Sequence, residues 1–112
     1  FAQKKLNNFI PQYIGSLEEC TNLRELDLSK NSIEKIKGLD MLTALEVLKL
    51  DSNSITKWAG LAALKSLQHL DLSYNGLTRL SSSIANHAAL MTLKLHGNQL
   101  NVVSRVDHNP SA

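Results

Sequence analysis

His69, Asp71 and Ser73 occupy alternate positions of one short segment and supply the residue types of a hydrolytic triad. In an extended strand alternate side chains share a face, so this spacing directs all three the same way. Same-face neighbours stand about 6.6–6.8 Å apart, whereas a nucleophile and its base must approach to about 2.6–3.2 Å. The three are also colinear and exposed, with no glycine-rich elbow and no water-excluding pocket. Hydrolysis is therefore not the expected chemistry. His69 and His96 form the one imidazole pair placed to share a metal, and no third or fourth ligand is spaced to complete a tetrahedral site. The phosphate cradle Gly-x-x-x-x-Gly-Lys is absent.

What positions these residues is a phrase written four times, Leu-x-x-Leu-x-Leu-x-x-Asn. It runs from Leu23 to Asn31, Leu45 to Asn53, Leu67 to Asn75 and Leu90 to Asn98, at steps of 22, 22 and 23 residues. Alternating Leu-x-Leu reads as a short strand with its leucines directed inward and the intervening side chains outward. After each Asn the rhythm becomes Ile-x-x-Ile-x-x-Leu-x-x-Leu, a three-residue spacing that suits a 3₁₀ or brief α turn on the opposite side. Residues 59–66 carry the most helical version, and Ser81, Ser82 and Ser83 offer caps ahead of Ile84. Each coil buries its leucines against those of the next, because one turn cannot bury them alone. Asn31, Asn53, Asn75 and Asn98 fall where the chain leaves the strand, so a column of amides is expected to satisfy backbone groups in the bends.

Extending the period accounts for the whole chain as about five units, residues 1–22, 23–44, 45–66, 67–89 and 90–112. The first is degenerate, with Lys4, Phe9 and Pro11 at the positions of Leu26, Asn31 and Ile33, and the last fades through Asp107–Pro110. Both lack caps, so the array is expected to continue beyond Ala112. Phe1 at the start reads as a fragment or processed product.

At 112 residues the length fits one domain, and 43% hydrophobic with 4% aromatic residues makes the core one of leucine and isoleucine. A formal charge of +2, with no cationic cluster beyond Lys4-Lys5, lacks the footprint of a nucleic-acid binder. No apolar run approaches the roughly 20 residues of a membrane span. Cys20 is the single cysteine, so no intrachain disulfide forms, and Asn53-Ser54-Ile55 fails as a glycosylation acceptor. Both features favour a reducing compartment.

These residues resemble the leucine-rich repeat family, in the 22-residue subtype of phosphatase regulatory subunits and of many centrosomal and ciliary proteins. Residues 23–44 match its pattern through Ile33, Ile36, Leu39 and Leu42, and residues 67–89 depart from it with one extra residue before Ile84. A further similarity is to leucine-rich repeat and coiled-coil centrosomal proteins. The resemblance implies an α/β repeat solenoid, a right-handed coil with a parallel concave sheet and short 3₁₀/α turns on the convex side. It implies a non-catalytic module that binds a protein partner on the concave face, for scaffolding or targeting, in the cytoplasm and at the centrosome or cilium. The alternative is a regulatory subunit docking on an enzyme such as a phosphatase. No cofactor, nucleic acid, membrane or small-molecule substrate is expected.

The outward positions form four columns: Glu25, Val47, His69 and Thr92; Asp27, Lys49, Asp71 and Lys94; Ser29, Asp51, Ser73 and His96; and Lys30, Ser52, Tyr74 and Gly97. Parallel neighbours lie ~4.8 Å apart, so the second column alternates acid and base across the sheet. That pattern serves solubility through cross-strand pairs, and equally a complementary partner. The expected partner-binding residues are Arg24, Glu25, Asp27, Lys49, Asp51, His69, Asp71, Tyr74, Lys94 and His96. Tyr74 is open to two readings, an interface anchor or a ring covering the rim of the core. Trp58 falls at the register of Ile36 and reads as packing. Cys20 and His87 share the column of Leu42 and Leu64, which makes them a small buried hydrophobe and a tolerated imidazole. Strands of about 17 Å in a sheet about 20 Å wide offer on the order of 350 Å², below the roughly 800 Å² each partner gives a standard interface.

Overall fold

The computed structural model describes residues 3–5 and 21–101. Five short strands recur along it, β1 (Gln3–Lys5), β2 (Glu25–Asp27), β3 (Val47–Lys49), β4 (His69–Asp71) and β5 (Thr92–Lys94). They form one parallel sheet in chain order, so each strand pairs with its predecessor and its successor. The register sets Leu26, Leu48, Leu70 and Leu93 side by side. Lys4 takes the same position in β1 and interrupts the leucine row, as the sequence implied.

The strands are three residues long, about 10 Å, and not the 17 Å expected. Backbone pairing nevertheless runs on past them. Leu28 N–H donates to Lys49 O at 2.8 Å and Lys30 N–H to Asp51 O at 3.0 Å; Leu50 and Ser52, then Leu72 and Tyr74, repeat both bonds one coil later. Strand geometry ends early because the chain must bend within a unit of 22 residues, while inter-coil bonding persists through the bend.

Between sheet and convex side lies a single core. Leu23, Leu26, Leu28, Ile33, Ile36, Leu39 and Leu42 are buried, and so are their counterparts one coil on, save Trp58 at the register of Ile36, which is partly buried. Each such side chain contributes about 1.5–3 kcal/mol on leaving water. Leu90, Leu93, Leu95 and Leu100 pack on that core only partly buried, because among the described residues β5 is the last strand and has a neighbour on one side alone.

The three-residue rhythm closes turns whose carbonyls accept from three residues ahead. Leu42 N–H donates to Leu39 O at 3.0 Å, Leu45 N–H to Leu42 O at 3.1 Å, and Leu64 and Leu67 do the same in the next coil. Residues 59–66, expected to be the most helical, hold short turns and no helix. Gly60 sits there at φ +84°, a left-handed value that stops helix propagation at its first turn. The helix among the described residues is the 3₁₀ segment Ser82–Asn86, where the extra residue of that unit gives room. Ser81 caps it, its Oγ accepting from Ser83 N–H at 3.1 Å.

The amide column behaves as expected. Asn53 Oδ1 accepts from Ile33 N–H of the preceding coil at 3.0 Å, and its Nδ2 donates to Leu28 O and to its own Leu50 O, both at 3.0 Å. Asn75 and Asn98 repeat this one and two coils later. Each side chain thus ties two coils together through backbone groups that no strand reaches.

A second device was not legible. Lys30, Ser52 and Tyr74, directly before three of these asparagines, have φ of 58°, 61° and 57°, and Gly97 before the fourth has 77°. A left-handed residue costs about 1–2 kcal/mol when it is not glycine. Here it reverses the chain so that the next side chain points inward. Ladder bonds hold it in place, since Lys30, Ser52 and Tyr74 all donate N–H to the next coil at 2.9–3.0 Å.

Candidate interaction surface

The outward face is built on the first two columns. Pairing places Glu25, Val47, His69 and Thr92 in one row and Asp27, Lys49, Asp71 and Lys94 in the next, as the spacing implied. The register adds Gln3 opposite Glu25 and Lys5 opposite Asp27. Stepping back 22 residues from Asp27 would have found Lys5; lysine at the leucine position of β1 obscured it. Lys49 and Lys94 are exposed and Asp71 half-exposed, and among the described residues neither lysine pairs with Asp71. Val47, Lys49, His69, Asp71, Thr92 and Lys94 line a shallow trough of about 370 Å³ across β3, β4 and β5.

The third column departs from expectation. Asp51 and His96 reach the surface, but Ser29 and Ser73 are buried, Ser73 with 2% of its surface exposed. Both serines turn back onto the aspartate two residues earlier. Ser73 Oγ donates to Asp71 Oδ1 at 2.5 Å and Ser73 N–H to the same oxygen at 3.0 Å; Ser29 does likewise with Asp27 at 2.6 and 3.0 Å. This is a turn closed by an aspartate side chain, which alternation alone reads as plain strand. The hydroxyl proton of Ser73 therefore goes to a carboxylate and not to His69. Ser73→Ala is expected to cost about 1.5–3 kcal/mol in urea unfolding, the value of a hydrogen bond to a charged group.

Tyr74 is 58% exposed, and its ring meets His96 edge-on with centroids 5.1 Å apart. Gly97 makes this possible, since a Cβ there would stand 2.4 Å from Tyr74 Cδ1. Arg24 lies outside the columns, its Nη1 3.6 Å from Glu46 Oε2 just ahead of β2 and β3. This pair is solvent-exposed and stabilises by about 0.2–1 kcal/mol at most. Glu46 was absent from the expected surface.

On the opposite side, His87 is buried with Nδ1 3.2 Å from Leu64 O. A carbonyl only accepts, so Nδ1 carries the proton. Trp58 packs edge-on to that ring at 6.5 Å and against the core, the packing role expected of both. Cys20 lies outside the described residues, as do Phe9, Pro11 and Asp107–Pro110. Among the described residues no group of three or more His, Cys, Asp or Glu could hold a metal, and no helix is long and apolar enough to cross a membrane.

Two family models match. One described as leucine rich repeats in two copies covers residues 21–63, and one described as leucine rich repeat covers residues 43–100. No curated protein sequence matches the chain. Among solved structures, internalin C2 of Listeria monocytogenes superposes with a TM-score of 0.71 at 30% identity, over 83% of this chain and 41% of that one. Internalin F of the same organism gives 0.69 at 28%, over 80% and 27%. The leucine-rich repeat ectodomain of the receptor kinase SOBIR1 of Arabidopsis thaliana gives 0.57 at 25%, over 75% and 49%. This chain thus spans less than half the length of each. Buried leucines in register, the asparagine ladder and the matching models together make the chain a member of the leucine-rich repeat family.

Proposed function

We propose that the chain is a non-catalytic protein-binding module whose concave face holds a protein partner for scaffolding or targeting. Leucine-rich repeats mediate protein–protein contact as a family, which supports the coarse statement. The finer one rests on a single observation: across β2 to β5 the outward charges lie in one row of alternating sign, and Lys49, Asp71 and Lys94 of that row line a shallow trough. Arg24, Glu25, Asp27, Lys49, Asp51, His69, Asp71, Tyr74, Lys94 and His96 make up the proposed surface. Its setting in this reading is the cytoplasm, at the centrosome or cilium, in keeping with the 22-residue repeat resemblance and the lone Cys20.

Affinity capture with the chain beside a Lys49→Glu, Lys94→Glu variant tests it. Partners bound on the concave face should drop at least tenfold in recovery from the variant, because two attractions become repulsions. Equal recovery would move the site off this face. Phosphatase activity in the captured material that changes on Asp71→Lys would favour the regulatory-subunit alternative; altered location with unchanged activity would favour scaffolding.

A further inference from the structure

We infer that the concave row recognises an α-helix carrying acid, base and acid on successive turns. This deepens the proposal above and rests on it. Lys49, Asp71 and Lys94 are in register on β3, β4 and β5, one strand spacing of ~4.8 Å apart. Asp71 has one carboxylate oxygen taken by Ser73, and its second oxygen accepts from no described residue. The row is thus not neutralised by itself.

The spacing selects the secondary structure of the ligand. A helix laid across the strands repeats one face every ~5.4 Å, and a tilt of about 27° shortens that repeat to the strand spacing. Untilted, the mismatch over two steps is about 1.2 Å, within reach of a lysine stem. An extended chain repeats one face every 6.6–6.8 Å, so over two steps it overshoots by about 4 Å, nearly a whole strand. A polyproline helix repeats every ~9.3 Å and would meet Lys49 and Lys94 while leaving Asp71 unanswered. Only the α-helix meets every member of the row in turn. Asp51 lies two residues past Lys49, beyond the end of β3, and flanks the row without interrupting it. Beside the row, Val47, His69 and Thr92 form a weakly polar floor to the same trough. The helix that fits therefore sets a stripe of small apolar residues next to its charged one.

Two stapled alanine-based helices of one composition test this, one with Glu, Lys and Glu on successive turns, the other with Glu, Glu and Lys. A third peptide keeps the alternating charges but carries central prolines and no staple. Each is titrated into the 112-residue chain and followed by amide chemical shifts. The alternating helix should bind about tenfold more tightly than the grouped one, with shifts at Lys49, Asp71 and Lys94. Asp71→Lys should erase that preference. Equal affinity of the two helices, tighter binding of the proline peptide, or no binding at all would overturn the inference. Shifts in this row without a preference would overturn it while leaving concave-face binding intact; shifts confined to the convex side would sink both readings.

Discussion

Asn75→Ala is expected to remove about 2–4 kcal/mol of stability, a large share of the 5–15 kcal/mol that holds a domain folded. Asn75 Oδ1 accepts from Ile55 N–H at 2.9 Å, and Nδ2 donates to Leu50 O at 3.0 Å and Leu72 O at 3.1 Å. Truncation orphans the Ile55 N–H, while Leu50 O and Leu72 O each lose one of two bonds, since Asn53 Nδ2 still donates to the first and Asn98 Nδ2 to the second. The unsatisfied donor costs about 1–3 kcal/mol and each lost carbonyl bond about 0.5–1.5 kcal/mol, reduced where water can enter the vacated space. The melting temperature, read by circular dichroism, should fall by about 8 °C or more, taking about 4 °C or more per kcal/mol. Asn75→Asp separates geometry from charge. It keeps the acceptor for Ile55 but points a carboxylate at two carbonyl oxygens, which raises its pKa in the folded state above that in the unfolded chain. A raised pKa gives stability that is present at low pH and lost as pH rises through the folded value. Asn75→Asp should accordingly be at least as unstable as Asn75→Ala at neutral pH and recover on acidification. A drop below about 1 kcal/mol for the alanine variant would show that the ladder is dispensable.

That ladder was legible in the sequence because it depends on residue type and period together. Four amides at one register point to one backbone task, and leucines at fixed offsets point to one core. Both are demands that every coil must meet, so the repeat prints them each time. What escaped notice is what the coils solve differently. The left-handed turn before each asparagine is made by Lys30, Ser52 and Tyr74, three unrelated types, and only Gly97 advertises it. Ser29 and Ser73 sit at outward positions by alternation, yet a contact two residues back draws them inward. Of the candidate surface, the rows carried by the strands themselves followed from the period. Glu46, at the rim with Arg24, did not, because the ion pair between them depends on side-chain reach and not on register.

These differences bear on binding. With Ser29 and Ser73 turned in, the face narrows to the first two rows plus Asp51, His96 and the exposed ring of Tyr74. A partner seated there meets charge in a line and, three residues past Asp71, one exposed aromatic ring. Specificity then comes from the order of signs along the row more than from buried area.

Gly60→Ala carries the other large effect, and Gly76→Ala is its control. Gly60 has φ +84°, and a Cβ there would lie 2.0 Å from Ile36 O and 2.9 Å from Ile36 C. Both atoms are backbone of the preceding coil, so no side chain can rotate away. The left-handed conformation alone costs alanine about 1–2 kcal/mol, and relieving the overlap must shift one coil against the next. A loss of about 3 kcal/mol or more is expected in chemical denaturation. At Gly76 the φ is not left-handed, and the nearest atom to an added Cβ is Thr56 Cγ2 at 3.3 Å, with Ile55 O at 3.7 Å. Its N–H bond to Ile55 O at 2.8 Å would survive the substitution. Gly76→Ala should stay within about 0.5 kcal/mol of the parent or gain slightly from a less flexible unfolded chain. Gly38, 22 residues before Gly60, repeats the same left-handed angle, φ +81°. Close coil stacking at this corner, and not looseness, is what the glycine supplies. Equal stability of Gly60→Ala and Gly76→Ala would mean that the coils do not approach as closely as the Ile36–Gly60 contact requires.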